Sequence, residues 1–125
     1  MEKSYKKLIV WQKGVDLVTE IYALTAKLPR SETYGLISQI QRSAVSIPSN
    51  ITEGSRRRSK KDFQHFLSIS FGSGSELETQ IEILRRLPFG KNLKYEKIDS
   101  LLTEIMKMLN VMVYGSKIHS EPTNY

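Results

Sequence analysis

Hydrophobic residues recur along the chain at helical spacing in four runs, and no stretch alternates in the manner of a strand. The first run, about Leu8 to Leu28, sets Trp11, Val15, Val18 and Tyr22 on one line and Val10, Leu17, Ile21, Leu24 and Leu28 on the next. The two lines adjoin, so the apolar face spans roughly 180°, wider than the roughly 100° stripe that one packing partner covers. This helix is expected to touch more than one neighbour and to end at Pro29, which cannot continue the hydrogen-bond ladder. A second run, about Thr33 to Glu53, carries Leu36, Ile37, Ile40, Ala44, Ile47 and Ile51 on one face. Pro48 inside it predicts a kink, and Gly54 stands where a left-handed C-terminal cap would close it. The third run opens on Ser59, with Asp62 three residues on, a near variant of the capping box. Phe63, Phe66, Leu67, Ser70, Gly74, Leu77, Ile81 and Leu84 then share a face as far as about Leu87. Small residues at Ser70, Ser73 and Gly74 leave room there for a facing backbone or a docked side chain. After Pro88-Phe89-Gly90 a fourth run, about Tyr95 to Lys117, presents Ile98, Leu101, Leu102, Ile105, Leu109, Met112 and Val113.

Four such runs, each of roughly 20 residues and about 30 Å, joined by short turns, predict an all-α fold: an antiparallel up-down-up-down four-helix bundle. The whole chain, residues 1–125, reads as one domain with frayed ends at 1–6 and 120–125. The end of the fourth run is apolar nearly all round. Val111 and Tyr114 face away from the main stripe, and with Met106 and Met108 they form a candidate oligomer interface. Together with the wide face of the first helix, they predict a homo-oligomer.

Composition narrows the chemistry. The chain has no cysteine, which excludes disulfides and thiolate sites and favours a cytoplasmic address. Its first residues hold only a four-residue apolar run, "LIVW", too short for a signal-peptide core or a membrane span. No HExxH, P-loop, GxSxG or GxGxxG pattern occurs. His65 lies off the apolar face of the third helix and His119 in the tail, so both are expected to be solvated. Glu76, Glu78 and Glu82 lack the ExxH partner of a di-metal bundle site and are expected to form salt bridges with neighbouring helices or subunits. No metal, cofactor or catalytic activity is expected.

Two polar features remain. On the second helix Gln39, Arg42, Ser43, Ser46, Asn50 and Glu53 form a stripe beside the apolar one, and periodicity leaves it either solvated or a hydrogen-bonded seam. Between the second and third helices Arg56, Arg57, Arg58, Lys60 and Lys61 crowd a turn and a helix start. Cations are not what a helix N-terminus ordinarily attracts, but its free N–H groups and the cations would together attract a phosphate. The formal net charge of +6 agrees with an acidic partner. With no nearby exposed aromatic set to stack bases, contact is expected to be backbone-directed and only weakly sequence-specific.

The segment "RSAVSIPSNITEG", Arg42 to Gly54, followed by a basic segment and by "FLSISFGSGSELETQ", Phe66 to Gln80, resembles the 23S rRNA intervening-sequence proteins, also labelled S23 ribosomal protein. The opening "LIVWQKGVDLVTEIY", Leu8 to Tyr22, is similar to that family's first helix. Ser46, Ile47, Pro48, Asn50, Ile51, Glu53 and Gly54 carry its most specific element, and the chain departs from the usual pattern at Ser70 and Phe71. The resemblance implies a bacterial four-helix protein that assembles as a homopentamer and has no established catalysis. It also implies kinship with an accessory protein of diversity-generating retroelements that binds nucleic acid and a reverse transcriptase. Two functions follow as expectations: RNA or DNA binding through the basic turn, with RNA favoured, or a scaffold that binds another protein.

Overall fold

The structure, a computed structural model, describes residues 4–115 of the chain. It is all-helical, with four long helices and no strand among the described residues. They are α1 (Ile9–Thr25), α2 (Ser38–Ser55), α3 (Lys60–Arg86) and α4 (Glu96–Tyr114). Each packs on its neighbours in the chain, and α4 closes on α1. The core between them is aliphatic: Leu17, Ile21, Ile40, Ile47, Ile51, Leu77, Ile105 and Leu109 are wholly removed from solvent. Every one of these stands on a stripe expected from the sequence.

The ends of the elements differ from the periodic reading, each for a local reason. Within the segment read as a frayed start, Ser4 caps a 3-10 turn, Tyr5–Lys7, by accepting the Lys6 N–H at 3.3 Å. Tyr5 then meets Trp11 edge to face at 5.3 Å. The second run is broken: Thr33–Ile37 forms a π-type turn in which Gly35 leaves helical geometry, and the regular helix begins only at Ser38. The fourth ends at Tyr114, where Gly115 adopts a φ of 79° and returns its N–H to the Val111 carbonyl at 2.7 Å. Residues 116–125, with His119 and the tail expected to fray, and residues 1–3 lie outside the described part.

Gly54 is not a cap. The helix continues through it to Ser55, and its φ is not positive. It is there because α3 is too close for a side chain: a Cβ would lie 2.9 Å from Phe66 Cβ and 3.1 Å from both Phe63 Cδ1 and the Phe63 carbonyl oxygen. Gly74 does the same between α3 and α4, where a Cβ would overlap Met106 Sδ. Met106, assigned to an outer interface in the sequence reading, is thus half-buried in a notch of this bundle. Helix α2 passes through Pro48 unbroken, and the buried proline ring packs on α1 at Gly14.

Candidate nucleic-acid interface

The α2–α3 loop lies at the end of the bundle shared by the N-terminal turn and the last residues of α4. Ser59 opens α3 as expected, accepting the Asp62 N–H at 3.0 Å. The loop is short because both helices run to within a few residues of each other, so Arg56, Arg57, Arg58, Lys60 and Lys61 are all exposed and held close together. Among the described residues only Arg57 of these five forms an ion pair, with Glu53 at 2.8 Å on the same helix end. The other four make no ion pair with any described residue. Lys6 and Lys7, from the N-terminal turn, extend the same surface and are likewise exposed and unpaired among the described residues.

Two half-buried aromatic rings lie beneath the cations, neither of them an exposed platform for bases. The Arg56 guanidinium sits over the Tyr5 ring at 5.4 Å, and that of Arg57 over Phe66 at 4.7 Å. His65, exposed as expected, meets the same Phe66 ring edge to face at 5.5 Å. A stacked guanidinium is held by its face, which leaves the N–H edge of Arg56 free for an oxyanion, while that of Arg57 is already shared with Glu53. No periodicity on one helix could reveal Tyr5 beneath Arg56, since the two are brought together only by α1 packing on α2.

Beneath the loop lies a cavity of about 460 Å³. Tyr5, Leu8, Phe63 and Met112 give it an apolar wall, while Lys7, Arg57, Arg58 and Lys60 line its charged side. Beside it, Leu8, Ile9, Val111 and Met108 border a shallower apolar groove between the start of α1 and the end of α4. Ile9 is 58% and Val111 55% exposed. Of the expected interface residues, Val111 and Tyr114 are exposed, whereas Met108, like Met106, is half-buried against the core. Tyr114 also packs edge to face on Phe71 of α3 at 5.8 Å.

The polar stripe of α2 is a hydrogen-bonded seam over part of its length. The Ser46 and Ser73 hydroxyls lie 2.7 Å apart across the α2–α3 contact, and Asn50 Nδ2 donates to Ser46 at 2.9 Å. Buried Ser70 donates to the Ile47 carbonyl at 2.9 Å. Gln39, Arg42 and Glu53 of the stripe are exposed. In the acidic cluster of α3, Glu82 pairs with Arg85 and Arg86 on its own helix rather than on a neighbouring one, and Glu76 and Glu78 pair with no described residue of this chain. Partial burial raises the Glu78 carboxyl above the usual range of its kind. The described residues contain no cluster of three His, Cys, Asp or Glu side chains suited to a metal ion, and no helix long and apolar enough to cross a membrane.

The family described as 23S rRNA-intervening sequence protein matches residues 6–111. No curated protein matches the chain. Among solved structures, a protein with unknown function from the S23 ribosomal protein family of Bacteroides thetaiotaomicron is 27% identical, with a TM-score of 0.70. The alignment covers 84% of this chain and 98% of that one.

Proposed function

The chain belongs to the 23S rRNA-intervening sequence protein family, and on that footing we propose that it is a non-enzymatic RNA-binding protein, an up-down-up-down bundle whose copies associate through the exposed apolar strip of α1 and α4. The observation that carries the RNA reading is the set of exposed cations at one end of the bundle, of which only Arg57 is neutralised by a described carboxylate. Structural salt bridges would consume such charges. Here all but Arg57 stand without such a pair among the described residues, and Arg56 and Arg57 rest on aromatic rings that fix their direction. Their partner is expected to be a polyanion met through its phosphates, with weak preference for sequence. In an oligomer the patch repeats around the symmetry axis, so that modest individual contacts multiply if one RNA spans them.

The test is a salt titration of RNA binding for the parent and for a variant with Arg56, Arg57, Arg58, Lys60 and Lys61 all replaced by alanine. Single-stranded RNA contributes about 0.7 to the slope of log affinity against log salt for each phosphate neutralised, so loss of all five contacts lowers the slope by up to about 3.5. If the variant binds as tightly as the parent at low salt, these residues are not the RNA contact. The scaffold reading, with the apolar strip as its protein-binding surface, then takes its place.

A further inference from the structure

A surface that reads phosphates needs only charge, yet this one lies over a cavity. Its volume of about 460 Å³ falls within the roughly 300–1,000 Å³ of small-molecule sites. The half-buried side chains of Leu8, Phe63 and Met112 form its apolar wall, and exposed Lys7, Arg58 and Lys60 edge it. An intact duplex would cover the cations and leave the apolar wall empty, because its bases stay stacked on one another. A purely apolar ligand would fill the wall and leave the cations unanswered.

A nucleotide with its base turned out of the strand satisfies both. We propose that this cavity receives one unpaired nucleobase of a bound RNA, with the flanking phosphates on the lysines and arginine at its edge, so that single strands are preferred over duplex. The proposal rests on the RNA-binding reading and specifies what the site accepts. Polar groups for the base edge are present. Ser59 uses its oxygen to accept the Asp62 N–H and keeps its own O–H to donate, while Ser55 donates to the Thr52 carbonyl and keeps lone pairs to accept. Both serines line the cavity. Discrimination against duplex then comes from the shape and apolarity of the wall, and affinity from the charge around it.

The experiment compares, by fluorescence anisotropy at fixed salt, labelled oligo-uridylate with an oligomer of equal length in which every ribose is abasic. Both carry the same phosphates. The abasic strand is expected to bind about tenfold more weakly, a difference of about 1.4 kcal/mol, with an unchanged salt slope. Met112→Trp, which fills the cavity from α4, is expected to bind oligo-uridylate as the parent binds the abasic strand. Equal affinity of the parent protein for the two strands overturns the proposal whether or not the tryptophan variant folds. If the two bind equally and the five-alanine variant still loses affinity, the base site falls and the phosphate surface stands. If neither strand binds, both readings fall together.

Discussion

Two glycines in this chain should respond differently to alanine, and the difference between them measures how tightly α2 is pressed on α3. Gly54 and Gly72 are both helical. Replacing either lowers the intrinsic cost of its helix by up to about 1 kcal/mol, chiefly by removing freedom from the unfolded chain. A Cβ at Gly72 meets nothing within 4 Å, so Gly72→Ala is expected to stabilise by up to about 1 kcal/mol. A Cβ at Gly54 meets the Phe66 Cβ at 2.9 Å and the Phe63 carbonyl oxygen at 3.1 Å, neither of which can swing aside without moving α3. Overpacking of this kind costs about 1–3 kcal/mol. The propensity gain is common to both variants and cancels, so Gly54→Ala should lie below Gly72→Ala by about 1–3 kcal/mol. Urea denaturation monitored by circular dichroism, with both curves fitted to one m-value, gives the gap directly. Equal midpoints for the two variants would refute the close contact and return Gly54 to the role of a simple helix end.

Two further outcomes test the apolar surface and the partly desolvated carboxyl of Glu78. The parent is expected to sediment at micromolar concentration as a species larger than its 14.4 kDa chain, and Val111→Glu to shift it toward the protomer; a parent that sediments as a monomer removes the oligomer. Because burial raises the Glu78 pKa in the folded state, the folded chain holds that proton more strongly than the unfolded one. The stability this brings is present below the ordinary carboxylate range and is lost as pH rises through the folded value; Glu78→Gln should therefore flatten that fall and gain stability at neutral pH, as read from urea midpoints across the acid range, and an unchanged pH profile would sink the assignment.

The helices were legible because burial imposes a 3.6-residue period on each of them separately, and a period survives without knowledge of the partner. What escaped was set by partners distant in sequence. Gly54 follows Glu53 at the end of an apolar run and so looks like a cap, but the constraint on it comes from Phe63 and Phe66 on the next helix. Tyr5 looks like part of a loose start until α1 carries it beneath Arg56. The division of the α2 stripe into a seam at Ser46 and Asn50 and an exposed edge at Gln39 and Arg42 depends on where α3 crosses, which no single helix specifies. The break at Gly35 is local, but one glycine inside an otherwise regular pattern is compatible with either a helix or a turn.

The motif and the basic loop are consequently one device rather than two neighbours. Five cations gathered in a short loop and the first turn of α3 repel one another, by somewhat under 1 kcal/mol per pair at about 6 Å in water, and left to themselves would spread the chain ends apart. Contacts along α2 oppose this: Ser46 to Ser73, Ser70 to the Ile47 carbonyl, and Gly54 against the Phe63 and Phe66 turn. On the other side Trp11 Nε1 donates to Thr52 Oγ1 at 3.1 Å, and Gly14 receives Pro48, which binds α1 and its N-terminal turn to the same helix. The rings of Tyr5 and Phe66 thereby arrive under Arg56 and Arg57. Uncharged residues of the motif, packed between the helices, thus set the spacing of the exposed charges. On the RNA-binding reading proposed above, it follows that the element of residues 46–54 need not touch the phosphates to govern how they are held.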